Sequence, residues 1–440
     1  MSSYVRKKTP GDTEWFVHDR FGMFIHFGLY ALPARHEWIK TREFISEEKY
    51  QKYFEHFNPD LLDAREWAKK AKAAGMKYAV LTAKHHEGFC LFDSQYTDYK
   101  STNTPCGRDL VREYTDAFRA EGLKVGYYYS LIDWHHPDFT IDKIHPRRND
   151  ADAEEQDRGR DMRKYAQYMR DQVTELLTNY GKIDILWTDF SYPAMENAPA
   201  WMKCRGGKGK DEWESEKLIA TIRALQPDII LNDRAQIPQD LVTPEQERDP
   251  SNYTLRDEET GEYYTWESCQ TFSGSWGYFR DEQTWKTPPM LIRLLVKTVA
   301  NGGNLIMNVG PTARGFFDDR ANAALDVYAD WMKYNSRSIY GCTMAEPEFK
   351  VPDGAYLTQS EDGKRLYIHL MDFPFHRISI EGLSTDQIDY AQFLYDGSEA
   401  FYETKTYTTA AGKALPPKTT FQVPAMAFEK LNVVIEVLLK

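Results

Sequence analysis

The sequence predicts an α/β protein in which a (β/α)8-type, TIM-like barrel is followed by a C-terminal antiparallel β-sandwich. Through the first three quarters of the chain, short apolar runs alternate with amphipathic helical segments, which is the order expected of a parallel sheet covered by helices. From residue 344 onward the pattern changes to alternating polar and apolar positions that are interrupted by turns. We therefore expect a barrel over residues 1–343 and a β-sandwich over residues 344–440.

Short runs that are apolar throughout predict the parallel strands of the barrel, because such strands are covered on both faces. These runs are residues 22–27, 77–81, 124–129, 183–187, 228–231 and 304–308. Helical patterns lie at residues 64–74, 109–121, 161–179, 216–225, 289–300 and 323–338. Gly75 and Gly122 directly follow two of these patterns, at the position where a helix end favours glycine.

The C-terminal region predicts antiparallel strands instead. Segments in which apolar residues recur at every second position are residues 355–359, 365–370, 377–380, 390–395, 419–423 and 432–439. Asp-Gly pairs at 353–354, 362–363 and 396–397 are typical of tight turns between such strands. The combination indicates a β-sandwich.

Composition argues against several classes of function. The chain has 67 acidic and 55 basic side chains and a formal net charge of −12, which disfavours binding to a nucleic-acid backbone. Its apolar runs are far shorter than the roughly 20 residues that cross a bilayer, and its N-terminus lacks the apolar segment of a signal peptide. We therefore expect a soluble, cytoplasmic protein that binds neither nucleic acid nor membrane. The five cysteines form no CxxC pair, so neither a zinc knuckle nor a disulfide framework is indicated.

Polar or aromatic side chains stand where successive predicted strands end. In a barrel of this type the catalytic residues lie at the carboxyl ends of the strands, which meet on one face. The residues at these ends include His26, His85, Tyr129, Asp189 and Arg234. We expect them to form one site, and the aromatic content of 14% is compatible with a site for a sugar.

Seven motifs, taken together and in order, resemble the retaining alpha-L-fucosidases of glycoside hydrolase family 29. They are FGMFIHFGLYALP, AKHHEGFCLFDS, GYYYSLIDW, LWTDF, LNDR, WESCQTFSGSWGY and NGGNLIMNVGP. The resemblance implies an exo-acting enzyme that hydrolyses terminal alpha-L-fucosides of oligosaccharides or glycoconjugates through a covalent glycosyl-enzyme, with no cofactor and no metal.

Asp189 of the LWTD motif is the nucleophile that the resemblance implies. From the residues alone, an aspartate after a strand could equally be a helix N-cap or a turn residue. It follows an apolar strand beside Trp187, however, where a carboxylate would face the mouth of the barrel. A retaining glycosidase requires a carboxylate at such a position to attack the anomeric carbon.

The general acid/base has several candidates. Glu245, in the TPEQ segment after Arg234, resembles the corresponding residue of the family and is our first choice. Glu267 of the WESC motif is the second choice, with a structural carboxylate under the site as its alternative. Further glutamates in this stretch are Glu247, Glu258, Glu259 and Glu262. Retaining enzymes place their two carboxyl groups about 5–5.5 Å apart, so distance separates these candidates.

The resemblance also implies a set of residues that bind the sugar. His26, His85 and His86 are assigned to hydrogen bonds with hydroxyl groups, and Glu37 and Trp38 to a fucose-binding segment in which Trp38 contacts the C6 methyl group. Further candidates for the pocket are Tyr129, Trp187, Arg234 and Trp276. The aromatic residues among them could equally belong to the core.

Two other hypotheses remain open at this point. The pairs His85–His86 and His135–His136 could serve a metal-dependent hydrolase, although adjacent histidines on a strand point to opposite sides. The chain could also be a catalytically silent relative that only binds carbohydrate.

Overall fold

The computed structural model describes residues 4–193, 206–246, 255–372, 376–424 and 432–440. Within these ranges, the first part of the chain contains a curled parallel sheet of seven strands. They are β1 (Phe21–Ile25), β2 (Tyr78–Lys84), β3 (Lys124–Ser130), β4 (Ile185–Asp189), β5 (Ile230–Leu231), β6 (Glu267–Thr271) and β7 (Asn304–Val309). Their order in the sheet is β5-β4-β3-β2-β1-β7-β6. The predicted TIM-like fold is confirmed, and every residue of β1, β2 and β7 is buried.

Residues 241–246 join the two edge strands and close the ring. Leu241 forms a parallel bridge with Asn232, just beyond β5, and Glu245 forms another with Cys269 of β6. Backbone hydrogen bonds support this pairing: the Glu267 amide donates to the Val242 carbonyl at 2.9 Å, and the Gln246 amide donates to the Cys269 carbonyl at 3.1 Å. The segment therefore occupies the place of an eighth strand and carries Glu245 to the carboxyl edge of the sheet.

Ten α-helices lie in the described parts of the chain. They are α1 (Glu14–Asp19), α2 (Ile39–Arg42), α3 (Glu47–Glu55), α4 (Ala64–Ala73), α5 (Leu110–Ala120), α6 (Ala153–Asp157), α7 (Met162–Asn179), α8 (Ser215–Leu225), α9 (Pro288–Ala300) and α10 (Asp319–Asn335). Asp63, Asp109, Asp161 and Asp318 cap α4, α5, α7 and α10, each accepting a hydrogen bond from a backbone amide of the first turn. The Asp318 cap explains why α10 begins four residues before the predicted start. No described helix is long and apolar enough to traverse a lipid bilayer.

Two antiparallel sheets follow. The first has the order β12-β15-β10-β9-β8 and the second the order β11-β14-β13. Their strands are β8 (Cys342–Met344), β9 (Ala355–Ser360), β10 (Arg365–Leu370), β11 (Arg377–Glu381), β12 (Ile388–Phe393), β13 (Tyr402–Lys405), β14 (Lys418–Gln422) and β15 (Val433–Leu439). One apolar cluster contains residues of both sheets, among them Ile368, Ile380 and Phe421, so the sheets pack face to face as a sandwich.

Arg20 ties the amino-terminal edge of the barrel to the first strand of the sandwich. It directly precedes β1 and is completely buried. Its Nε donates to the carbonyl of Cys342 at 2.8 Å, and its Nη1 donates to the carbonyl of Gly302 at 2.8 Å. Hydrogen bonds from a charged donor to buried carbonyls are among the stronger ones in proteins.

We expect Arg20→Met to lower the free energy of unfolding by roughly 2–4 kcal/mol, because it leaves these buried carbonyls without donors. Arg280→Met is the matched control, since Arg280 is 69% exposed and pairs with the adjacent Asp281; it should leave the unfolding midpoint almost unchanged. Urea unfolding of both variants measures the difference. Equal midpoints would show that Arg20 does not join the two parts of the chain.

Candidate active site

A pocket opens at the carboxyl edge of the parallel sheet, and it contains most of the predicted site residues. The predicted residues that line it are His26, Glu37, Trp38, His85, His86, Trp187, Asp189, Arg234, Glu245 and Trp276. Phe24, Tyr128, Phe190 and Cys269, which we did not predict, line it as well. The other predicted residues that the structure describes lie outside the lining: Tyr129, Glu258, Glu259, Glu262 and Glu267. Glu247 falls outside the described residues.

Asp189 is the last residue of β4 and is held by two donors. The Tyr128 hydroxyl donates to its Oδ2 at 2.9 Å, and Arg234 Nη1 donates to its Oδ1 at 3.0 Å. Burial raises the pKa of Asp189 to about 6, and the nearby charge of Glu245 acts in the same direction. Arg234 and the Tyr128 hydroxyl oppose this rise. The side chain is therefore a carboxylate above about pH 6.

Arg234 binds the Glu245 carboxylate through the same nitrogen that binds Asp189. Its Nη1 also donates to Glu245 Oε2 at 3.1 Å, while Nε and Nη2 donate to the hydroxyl and the carbonyl of Thr243, each at 3.0 Å. Since 3.0 and 3.1 Å separate the Asp189 and Glu245 oxygens from one nitrogen, those oxygens lie within about 6 Å of each other, compatible with the separation of about 5–5.5 Å in retaining glycosidases. The Glu245 side chain is 46% exposed and that of Asp189 is 14% exposed, so Glu245 stands nearer the mouth.

Glu267 lies below the pocket, in the core of the barrel. It is completely buried, its Oε1 accepts a hydrogen bond from the Tyr78 hydroxyl at 2.5 Å, and its Oε2 accepts one from Trp187 Nε1 at 2.9 Å. Burial raises the pKa of Glu267 to about 7, against the effect of these two neutral donors. Because both oxygens are occupied by structural partners, the placement fits the alternative of a structural carboxylate that orients Trp187.

Three neutral histidines line the pocket. Burial lowers the pKa of His26 to about 3 and holds the pKa values of His85 and His86 well below the usual value. His26 Nδ1 lies 2.6 Å from Asn308 Oδ1, and His86 Nδ1 lies 2.6 Å from Ser130 Oγ. Within the described ranges, His85 Nδ1 is buried and has no hydrogen-bond partner. Neutral imidazoles both donate and accept, which suits the hydroxyl groups of a sugar.

The two histidine pairs do not converge. His85 and His86 line the pocket, whereas His135 stacks on Tyr99 with ring centroids 3.9 Å apart and His136 packs on Tyr168 at 4.3 Å, both outside the lining. Among the side chains that the structure describes, no group of three or more His, Cys, Asp and Glu residues is arranged to hold a metal ion.

Glu37 and Trp38 act on different walls of the pocket. Glu37 Oε2 accepts hydrogen bonds from the backbone amides of Gly277 at 2.9 Å and Trp276 at 3.2 Å, so it holds the loop after β6. The Trp38 ring packs edge-on against His86 at 4.9 Å and lies 5.2 Å from the Phe190 ring. Trp38 and Phe190 together form an apolar wall.

Phe190 reaches this wall through an unusual backbone conformation. It directly follows Asp189, and its φ of 92° lies in the left-handed region that bulky residues rarely adopt. The turn places the Phe190 ring 5.5 Å from His86. Nothing in the sequence marks a phenylalanine for a positive φ, and for this reason the sequence analysis missed it.

The prediction that Tyr129 lines the pocket is wrong, and its neighbour Tyr128 does so instead. Tyr129 points to the helix side of the sheet, where its hydroxyl donates to Gln172 Oε1 at 2.7 Å and Lys84 Nζ lies 4.3 Å from its ring centre. Successive strand residues point to opposite faces, and the parallel register pairs Tyr128 with Trp187, so these two share the inner face. The same alternation would have identified Phe24, two residues before His26.

The comparisons with known proteins agree on one family. The family model described as Alpha-L-fucosidase matches residues 3–337. The chain is 28% identical to the alpha-L-fucosidase of Dictyostelium discoideum over 391 residues, which cover 82% of this chain and 78% of that protein. It is similar to the structure of alpha-L-fucosidase isoenzyme 1 from Paenibacillus thiaminolyticus, with a TM-score of 0.84, 43% identity and coverage of 97% and 98% of the two chains. The structure of Thermotoga maritima alpha-fucosidase in complex with fucose matches with a TM-score of 0.74, 26% identity and coverage of 96% of both chains.

The pKa of Glu267 predicts a pH-dependent stability. Because its pKa is about 7 when folded and near 4.5 when unfolded, its proton stabilises the fold fully below about pH 4.5 and the contribution is lost as the pH rises through about 7. Glu267→Gln is neutral and does not titrate, so its unfolding free energy relative to wild type should rise by roughly 3 kcal/mol between pH 4.5 and 8. Urea unfolding across this range measures it, with the exposed Glu259→Gln as control. A constant difference would contradict the raised pKa.

Proposed function

The chain belongs to the alpha-L-fucosidase family, and on that premise we propose that it removes terminal alpha-L-fucose from oligosaccharides or glycoconjugates by a retaining mechanism, with Asp189 as nucleophile and Glu245 as acid/base. The observation that carries this assignment is the single nitrogen of Arg234, which binds both carboxylates. The upper limit of about 6 Å that this places on the distance between their oxygens is compatible with the separation of about 5–5.5 Å in retaining glycosidases.

In the first step, a carboxylate oxygen of Asp189 forms a bond to the anomeric carbon as the bond from that carbon to the glycosidic oxygen breaks. Glu245 gives its proton to the departing oxygen. In the second step, Glu245 removes a proton from water, the water oxygen attacks the anomeric carbon, and the Asp189 carboxylate leaves. The exposed position of Glu245 supports its role, because the leaving group must exit through the mouth of the pocket.

The remaining pocket residues support a fucose ring as the bound sugar. The neutral side chains His26, His85 and His86 are suited to its hydroxyl groups. The wall of Trp38 and Phe190 provides an apolar surface for the C6 methyl group. The solved relative from Thermotoga maritima is in complex with fucose, which favours the same ligand here.

We expect Asp189→Gly to lower kcat/KM for an aryl alpha-L-fucoside on the order of a thousandfold or more, because it removes the carboxylate that attacks the anomeric carbon. Azide added to this variant should fill the vacated space and attack the substrate directly, so the fucosyl azide should have inverted configuration. Rates and product NMR measure both effects. Activity within tenfold of wild type, or a glycosyl-enzyme trapped on another residue, would overturn the assignment.

Glu245→Gly should give the opposite stereochemical result. Hydrolysis of oligosaccharides should fall by roughly a hundredfold or more, whereas an aryl fucoside with a good leaving group should still form the glycosyl-enzyme, because its departure needs little protonation. Azide should then attack the glycosyl-enzyme without base assistance and give fucosyl azide with retained configuration. Glu267→Gly is the control and should show neither leaving-group dependence nor rescue. If Glu267→Gly instead shows both effects, the acid/base is Glu267.

A further inference from the structure

Asn308 occupies a buried position between two walls of the pocket. It lies in β7, is 2% exposed, and contacts His26 on one side and the loop after β6 on the other. Its Oδ1 lies 2.6 Å from His26 Nδ1, and its Nδ2 donates to the carbonyl oxygen of Trp276 at 2.6 Å. The proposed reaction uses no atom of Asn308, so its role must lie in these two contacts.

The contact with Trp276 determines which ring nitrogen of His26 carries the proton. A backbone carbonyl oxygen only accepts hydrogen bonds, so the NH2 group of Asn308 must face Trp276. The amide oxygen of Asn308 therefore faces His26 and must accept. His26 is neutral and has one ring proton, which then lies on Nδ1, and Nε2 is left with a lone pair.

Ser130 imposes the same tautomer on His86 by an independent route. The Ser130 hydroxyl donates its only proton to the carbonyl oxygen of Ile132 at 2.7 Å. Its oxygen, 2.6 Å from His86 Nδ1, can then only accept, so the His86 proton lies on Nδ1. His86 Nε2 is left as an acceptor as well.

We propose that Asn308 and Ser130 are positioning residues that fix the tautomers of His26 and His86, so that both rings present hydrogen-bond acceptors to the pocket. The inference rests on the proposed function for its ligand. Glu37 and Asp189 line the same pocket with carboxyl groups that accept when ionised. The pocket then selects a sugar whose ring hydroxyl groups donate, and it discriminates against a substituent of similar size that can only accept.

The tautomers can be measured without any ligand. In the full-length protein labelled with 15N-histidine, His26 and His86 should both show the spectrum of a neutral ring protonated at Nδ1, with signals assigned from His26→Gln and His86→Gln. Asn308→Leu should shift His26, and Ser130→Ala should shift His86, toward protonation at Nε2. A wild-type protein with Nε2 protonated on either ring would overturn the proposal.

A binding experiment tests the selection. We expect 3-deoxy-3-fluoro- and 4-deoxy-4-fluoro-L-fucose to bind the wild type about tenfold or more weakly than L-fucose, because fluorine cannot donate to these acceptors. Asn308→Leu and Ser130→Ala should each reduce the penalty severalfold for at least one of the two analogues, because a ring protonated at Nε2 can donate to fluorine. An unchanged penalty in both variants would overturn the selection.

Asn304→Leu is the matched control. Asn304 lies on the same strand β7, is completely buried and donates to the carbonyl of Phe16 at 2.7 Å, at the end of the barrel away from the pocket. Asn304→Leu should lose stability, but it should still bind the two fluorinated analogues more weakly than L-fucose by the wild-type factor. A matching loss of discrimination in Asn304→Leu would assign the effect to general destabilisation and overturn the proposal. Failure of L-fucose to bind the wild type would refute the proposed function and the selection with it, while the tautomer spectra would still decide the roles of Asn308 and Ser130.

Discussion

The guanidinium group of Arg234 is the contact on which the geometry of the site depends. One of its nitrogens binds both Asp189 and Glu245, and the rest of the group is fixed on Thr243. Two negative charges this close repel each other, and the cation that binds both of them offsets that repulsion. Residues 234–245 thus supply the cation, its anchor and the second carboxylate. Residues 241–246 also close the barrel, so the same segment completes the fold and brings Glu245 close to Asp189.

Burial also determines which side chains of the pocket carry a charge. It lowers the pKa values of the three imidazoles, so this part of the site is neutral, and it raises the pKa of Asp189. For Asp189 a cation and a hydroxyl donor partly offset the effect of burial. For Glu267 only two neutral donors do so, and its pKa is correspondingly higher, about 7. Burial therefore raises the pKa of both carboxyl groups, and the cation beside Asp189 limits the rise there.

The loop after β6 is held from both sides by residues far away in the sequence. Glu37 accepts hydrogen bonds from the amides of Trp276 and Gly277, and Asn308 donates to the carbonyl of Trp276. A Cβ at Gly310 would stand 2.6 Å from the amide nitrogen of Tyr278, so the chain after β7 must be glycine for the loop to approach this closely. The Trp276 wall of the pocket is thus positioned by the barrel itself.

The sequence alone determined the alternation of strands and helices, the change to antiparallel strands near residue 344, and the residues at most of the strand ends. These are local properties: apolar runs and helical periodicity are readable within a dozen residues, and parallel strands must present their carboxyl ends on one face. The tertiary structure decided everything that depends on pairing between distant segments. Strand β6, with the polar sequence ESCQT, has no apolar run and is recognisable only through its register with β7. Tyr128 rather than Tyr129 lines the pocket because the register with β4 sets the inner face. The sequence offers Glu245 as the first candidate and Glu267 as the second, but it does not show where either lies. The closure of the barrel leaves Glu245 at the mouth and buries Glu267 beneath Trp187.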